Sequence, residues 1–456
     1  MNAFLLILMS FSSYAFETLV QNHTLFTQPQ NQDLGSLLKN EIRLQSSQGL
    51  SLLDLKVSQG FNLSSPDAPT LAFEKGKLET KFGNSFLTVG DSHQILGRGL
   101  TLALYEDATL GIDHTLLGVN LSHEHKTLPL QIAAGKIHSL SQPVNLYPVS
   151  NPLSSREVYL GTAQATFQTE NIQIGLKGMF AQDKDLISKS ISKNTKSLGA
   201  HFETSDLFSG LNLYYENKFG FTDLTSSTQR FSYPLSQSHY GHLSFSNTDY
   251  RLQLEGKFYK GELFEFVRPP TLEEDVIETD TLEDSKGLRL KAEKLWQDWK
   301  LGSSVLVEET GNLQRQTALH PVVFLNSSSS KVGVGYRMTA KDRLIHGAGY
   351  QKLPIDSKNY FEINLRKITS SERDQNGVEV SYTLGNWLSL SLGYDFLPRE
   401  EFSDQHKGHL SVKYQQKDLT LKGLFGSLSG GTQCSSGVCR VVPKFDGFYV
   451  ESFLSL

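Results

Sequence analysis

Tyr250-Arg251-Leu252-Gln253-Leu254-Glu255-Gly256-Lys257-Phe258-Tyr259 is the stretch that decides the fold. Tyr250, Leu252, Leu254, Gly256 and Phe258 share one parity. Arg251, Gln253, Glu255, Lys257 and Tyr259 share the other. Successive side chains of a strand point to opposite faces, so this is a strand with one apolar and one charged face. A tilted membrane-crossing strand needs about 9–11 residues, and aromatic girdles mark both membrane interfaces. The stretch has that length, with an aromatic at each end of its apolar face. Glu255 and Lys257 stand near mid-strand, which suits a wet lumen better than the exterior of a soluble sandwich.

The same alternation recurs along the chain. Leu53, Leu55 and Val57 oppose Asp54, Lys56 and Ser58; Leu211, Leu213 and Tyr215 oppose Asn212, Tyr214 and Glu216. Further on, Val378, Val380 and Tyr382 oppose Glu379, Ser381 and Thr383, and Leu388, Leu390 and Leu392 oppose Ser389, Ser391 and Gly393. No blade-length repeat accompanies them, which argues against a propeller. The pattern predicts an all-β protein, a single large antiparallel transmembrane β-barrel of roughly 18 to 24 strands.

Composition agrees. Over 456 residues the apolar fraction is 38%, below that of a soluble globular chain, while aromatics reach 10%. A net charge of −5 gives no electrostatic footprint for nucleic acid. Residues 1–15 read as a secretory signal: an apolar run from Ala3 to Met9, then Ser13-Tyr14-Ala15 as a small-residue cleavage site. No later apolar stretch reaches the ~20 residues of a spanning helix, and a chain that spans lipid without one must close its strands into a barrel. The expected organisation is a signal over residues 1–15, a periplasmic or lumenal segment over 16–40 and an outer-membrane barrel over 41–456. Outer-membrane lipid is its expected surround.

Longer connections belong on the cell-surface side of such barrels. They are expected at 183–196, 222–238, 268–286, 311–330 and 427–446. The acidic run after Arg268 lacks the ligand spacing of a calcium loop and reads as a solvated loop. Cys434 and Cys439, in a Gly-rich hairpin, fit a short disulfide in an oxidising compartment. His123-Glu124-His125 places two imidazoles on one strand face, but no third ligand accompanies them, so a turn is expected and no metal. No Gly-x-Ser-x-Gly elbow or phosphate-binding Gly-Lys loop is present. No enzyme activity and no cofactor is expected.

A denser run of motifs lies between Leu87 and Leu121. It holds Val89-Gly90-Asp91, Gly97-Arg98-Gly99-Leu100, Tyr105-Glu106-Asp107, Leu110-Gly111-Ile112-Asp113 and Gly118-Val119. Near the end of the chain stand Gly430-Gly431, Cys434, Gly437-Val438-Cys439-Arg440 and Pro443. On these residues the chain resembles a family of outer-membrane β-barrel proteins of unknown function from Bacteroidetes-type Gram-negative bacteria. The family usually has a basic residue where Ala108-Thr109 stand, and usually ends on an aromatic where this chain has Leu456. The resemblance implies fold and location and supplies no ligand.

Two functional classes follow. One is a channel or transport-related pore, its lumen lined by Arg251, Lys257, Arg289, Lys291, Glu216, Glu255, Glu293 and Glu379. These mix both signs and set no simple ion preference. The other is a non-conducting structural or binding barrel that docks periplasmic or surface proteins, its lumen plugged by the segment before Glu41. Within the motif run, Leu100, Leu102 and Leu104 read as one strand, and Leu117, Val119 and Leu121 as another. Arg98, Glu106, Asp107 and Asp113 cluster at the turns around them. Either they serve the turns alone, or Arg98 pairs with one of the three carboxylates as a latch, since a guanidinium fork suits bidentate carboxylate contacts.

Overall fold

A computed structural model describes residues 17–29, 37–48, 50–62, 70–107, 112–139, 156–185, 192–206, 210–225, 230–261, 284–297, 299–310, 316–338, 343–369, 374–398, 406–428, 431–435, 438–442 and 445–455. The strands run in chain order. The first are β1 (Glu17–Pro29), β2 (Leu37–Gln48), β3 (Ser51–Asn62), β4 (Thr70–Phe82) and β5 (Ser85–Ser92). Three short ones follow: β6 (Gln94–Leu96), β7 (Leu102–Leu104) and β8 (Glu106–Asp107). Then come β9 (Ile112–His123), β10 (Leu130–Ser139), β11 (Arg156–Gln168), β12 (Ile172–Asp185), β13 (Ser192–Thr204), β14 (Leu211–Thr225) and β15 (Arg230–Ser246). Next are β16 (Tyr250–Lys260), β17 (Ser285–Trp296), β18 (Trp299–Thr310), β19 (Gln316–Ser327), β20 (Ser330–Met338), β21 (Arg343–Pro354) and β22 (Tyr360–Thr369). The last are β23 (Asp374–Leu384), β24 (Leu388–Phe396), β25 (His406–Gln416), β26 (Leu419–Leu428), β27 (Gly431–Ser435), β28 (Val438–Val442) and β29 (Phe445–Ser455).

Twenty-four of these are staves of one closed antiparallel barrel. Each pairs with the next in the chain, except that β5 pairs with β9 and β26 with β29. The ring closes where β1 meets β29, from Gln21↔Ser455 to Pro29↔Gly447. Closure satisfies every edge, which lipid demands of a spanning sheet. At the end where β1 starts and β29 stops the connections are short, from two residues (Gly83-Asn84) to six. By the architecture of such barrels that end is periplasmic. Gly83 and Lys417 take positive φ there (59° and 40°), as tight hairpins ask.

The barrel wall is turned inside out relative to a soluble protein. On β16, Leu252, Leu254 and Phe258 are exposed to the outside, while Glu255, Lys257 and Tyr259 are buried within. Leu176 (65%), Leu198 (69%) and Leu392 (64%) are likewise bare on the exterior, where lipid covers them.

Two expectations are corrected. The barrel does not begin near Glu41. It begins at Glu17, because β1 is the stave that joins β2 to β29, and so no described part of residues 17–29 plugs the lumen. The alternation of β1 is masked by Asn22, Thr24 and His23, which stand among its apolar positions. The segment 311–330 is not one long loop, since β19 occupies Gln316–Ser327 and carries Pro321 within a ladder. The signal segment 1–15 lies outside the described residues.

Candidate functional site: a hairpin anchored inside the barrel

The fifth stave is interrupted. β5 leaves the wall at Ser92 after pairing with β4 and β9. The chain returns to β9 only at β8, where Glu106 faces Asp113 and Asp107 faces Ile112. Between them β6 and β7 form a hairpin, Gln94↔Leu104 to Leu96↔Leu102, with residues 97–101 as its tip. Leu100, Leu102 and Leu104 are therefore not part of a stave, as their parity had suggested. Leu96, Leu102 and Leu104 are fully buried against inward-facing Leu116, Ala133, Ile137, Val158, Leu160 and Met179 of β9 to β12. Leu100, at the tip, packs with Tyr214, Tyr240, Tyr259 and Leu306 of β14, β15, β16 and β18. A lumen is normally polar; this apolar patch on its wall exists to receive the hairpin. Burying each leucine contributes about 2 kcal/mol.

The tip is held by charge as well. Glu216 of β14 is completely buried. Its carboxylate accepts from Lys177 Nζ of β12, from the Tyr214 hydroxyl, and from the backbone N–H of Arg98 at 2.8 Å. A carboxylate that accepts from an ammonium, a phenol and an amide makes the strong, charge-assisted kind of hydrogen bond. The Gly97 N–H donates to Gln164 Oε1 at 3.3 Å, and Gln131 Nε2 donates to Gln94 Oε1 at 2.8 Å. Gly97 has φ +62°, and a Cβ there would stand 2.0 Å from Lys177 Nζ and 2.5 Å from Glu216 Oε1. Only glycine lets the tip descend onto this ion pair.

The Arg98 guanidinium has its partners on the barrel wall and not at Glu106. Its guanidinium carbon lies 3.7 Å over the Tyr214 ring, and its terminal nitrogen is 3.8 Å from Glu203 of β13. Glu106 sits at the root of the hairpin and pairs with Lys75 of β4 at 3.3 Å. The tip carries Arg98 away from that root, which is why the two do not meet. Asp107 and Asp113 take part in the β8–β9 pairing through their backbones; their side chains lie outside the described residues. Glu203, Glu216, Lys177 and Tyr214 were the partners that sequence reading missed. Glu216 had been placed in the lumen, but nothing in the chain ties position 216 to position 98.

Past the hairpin the lumen is polar. A cavity of about 820 Å³ lies along β1 to β5 and β25 to β29, lined by both signs, among them Arg43, Asp54, Lys56, Lys77, Lys422 and Glu451. Most are paired: Arg43 donates to Asp54, Lys56 lies 3.2 Å from both Glu41 and Glu74, and Lys422 is 2.9 Å from Glu451. A second cavity of about 390 Å³ lies under the hairpin tip, lined by Arg98, Gln131, Gln164, Gln173, His201 and Glu203. Among the described residues no group of His, Cys, Asp and Glu is arranged to hold a metal ion. Cys434 and Cys439 face each other in register across β27 and β28.

No family model and no curated protein matches the chain. Solved structures do. The siderophore receptor PirA from Pseudomonas aeruginosa is similar over 96% of this chain and 80% of its own, with a TM-score of 0.53 and 9% identity. The copper transporter OprC is similar over 97% and 80%, at 0.55 and 10%. The ferric enterobactin receptor PfeA is similar over 96% and 81%, at 0.51 and 10%. The protein is an outer-membrane β-barrel. The three similar structures named are two receptors and a transporter.

Proposed function

We propose that the protein is an outer-membrane passage for polar solutes, its lumen narrowed on one flank by the hairpin 94–104. One observation carries this reading: a hairpin that leaves the wall mid-stave and is fastened inside by Glu216. A barrel serving only as a surface scaffold has no use for a charged interior with a shaped constriction. Twenty-four staves spaced ~4.8 Å apart and tilted ~40° give a round barrel on the order of 45–50 Å across. The hairpin hugs β9 to β18, so it covers one flank and leaves the opposite, charged wall to solutes. The mixed lining selects by size and hydrogen bonding more than by charge sign. Identities near 10% carry the fold alone, so the siderophores and copper of the similar proteins are not assigned to this chain.

Conductance across planar bilayers tests the reading. Stepwise, voltage-independent conductance is expected from purified protein. A folded, heat-modifiable barrel that never conducts would overturn it and leave the docking of periplasmic or surface proteins as the function. We propose further that the chain is one of the Bacteroidetes-type outer-membrane barrels of unknown function, on the motif run that the hairpin and its flanking staves occupy.

A further inference from the structure

The cavity under the hairpin tip is lined by two opposite charges that no hydrogen bond engages. Arg98 and Glu203 both face it, with side chains 38% and 45% exposed. Their nearest atoms are 3.8 Å apart, beyond hydrogen-bonding distance. Among the described residues neither the guanidinium nor the carboxylate makes a hydrogen bond. Each is nevertheless held in place. The Arg98 backbone is fixed to Glu216, and its guanidinium carbon lies 3.7 Å over the buried Tyr214 ring. Glu203 stands in the ladder opposite Gln173. Amides make up much of the remaining wall: Gln131 pairs with Gln164, and Gln168 with Gln173. Gln131 and Gln173 donate to neighbours through Nε2, which leaves each Oε1 able to accept. A second acid, Glu124, lies in the turn between β9 and β10, so the cavity opens at the periplasmic end.

A half-exposed pair at this distance is worth little by itself, so a ligand that inserts between the two groups gives up little. The two acids disfavour a simple anion, and the guanidinium disfavours a bare cation. A solute that carries both charges side by side meets both needs. A carboxylate fits the guanidinium fork, and an ammonium fits the Glu203 carboxylate, in charge-assisted hydrogen bonds. In a free α-amino acid the two charges sit on one carbon and its carboxyl, as close together as the two protein groups. We propose that Arg98 and Glu203 form a binding site for the zwitterionic head of a free α-amino acid, with the glutamine wall receiving a polar side chain. A volume of about 390 Å³ lies at the small end of ligand pockets, which run from roughly 300 to 1,000 Å³, and suits a solute of this size. The inference deepens the passage reading and rests on it for what the lumen carries; the binding itself does not require conduction. It gives the hairpin tip a further role, since the tip brings Arg98 to Glu203.

L-Glutamine is the probe, in calorimetric titration of the full-length protein purified in detergent. Saturable binding is expected. N-acetyl-L-glutamine, which lacks the ammonium, and L-glutaminamide, which lacks the carboxylate, should each bind about tenfold more weakly or worse, the loss of one charge-assisted contact. Glu203→Gln should abolish the preference for L-glutamine over its N-acetyl form. Arg98→Gln, which keeps the backbone N–H that Glu216 accepts, should abolish the preference over the amide. Should either variant not assemble, the capped ligands decide the matter on the native protein. Equal binding of the free and capped forms, or no saturable binding of L-glutamine, would overturn the site. So would tighter binding of sucrose, which would make the cavity a groove for hydroxyls. Stepwise conductance without L-glutamine binding would sink the site and leave the passage standing. Binding by a barrel that never conducts would support the site and sink the passage.

Discussion

Glu216 shows how much rests on one side chain. Among the described residues it is the acid that compensates Lys177 and receives the hairpin tip, and it is fully buried. Removing one partner of a buried pair leaves an uncompensated charge and costs about 3–5 kcal/mol. Glu216→Ala should therefore release the hairpin while the barrel stays closed, since none of the ladder bonds depends on it. With Cys434 and Cys439 replaced by Ser, a Leu102→Cys reporter should resist a water-soluble maleimide and become labelled once Glu216→Ala is added. Equal, slow labelling in both would sink the anchor. Gly97 makes the same point sterically. Gly97→Val puts a side chain onto Lys177 and Glu216 at a backbone angle that favours glycine, and should expose the same reporter. Gly161→Ala on β11, where a Cβ meets nothing within 4 Å, should leave it protected.

At the scale of the element, the hairpin is an insertion into a stave and not a part of the ladder. β5 and β9 pair with each other over eight residue positions without it, from Ser85↔His123 to Ser92↔Leu116. Replacing residues 94–104 by a short Gly-Ser linker should therefore leave heat-modifiable migration unchanged. Single-channel conductance should rise by less than about twofold, because lumen width scales with strand number and the hairpin lines one flank only. A drop in conductance, or failure to assemble, would contradict that. The β27–β28 ribbon is a separate element. Its register sets Cys434 opposite Cys439, a separation that suits a disulfide. We expect that bond in protein taken from the outer membrane, and two thiols open to mass labelling would refute it. Its loss should change the barrel's unfolding little, since the loop it closes is short.

For the whole molecule, closure is the deciding event, and it depends on strand parity. β1 runs antiparallel to both β2 and β29. Without it twenty-three staves remain, and β2 would have to meet β29 in parallel, a pairing less stable per residue than the two antiparallel seams it replaces. A mature chain starting at residue 37 should thus fail to reach the compact, heat-modifiable form. A chain that begins at Glu17 should reach it. Assembly of the shorter chain at native yield would show that the barrel begins where the N-terminal alternation becomes clear, near Glu41.

The sequence by itself determined the class of fold, its membrane setting and the inward direction of Glu255, Lys257 and Glu216. Period-2 alternation is a local property: each residue's face follows from its neighbour's, so ten residues such as 250–259 suffice to read it. The same local logic misread Leu100, Leu102 and Leu104, whose pattern fits a lipid-facing stave and a lumenal hairpin alike. What covers a leucine is decided by its surroundings, and only the closed barrel places Leu116, Val158 and Met179 on the wall beneath Leu102 and Leu104, and Tyr214 and Tyr240 beneath Leu100. The partners of Arg98 were hidden for a related reason. Glu216 lies 118 residues away along the chain, and its carboxylate comes within 2.8 Å of the Arg98 amide only once six staves, β9 to β14, have formed in register. Charge and parity can say that Glu216 faces inward; only the curvature of the ring says what it faces.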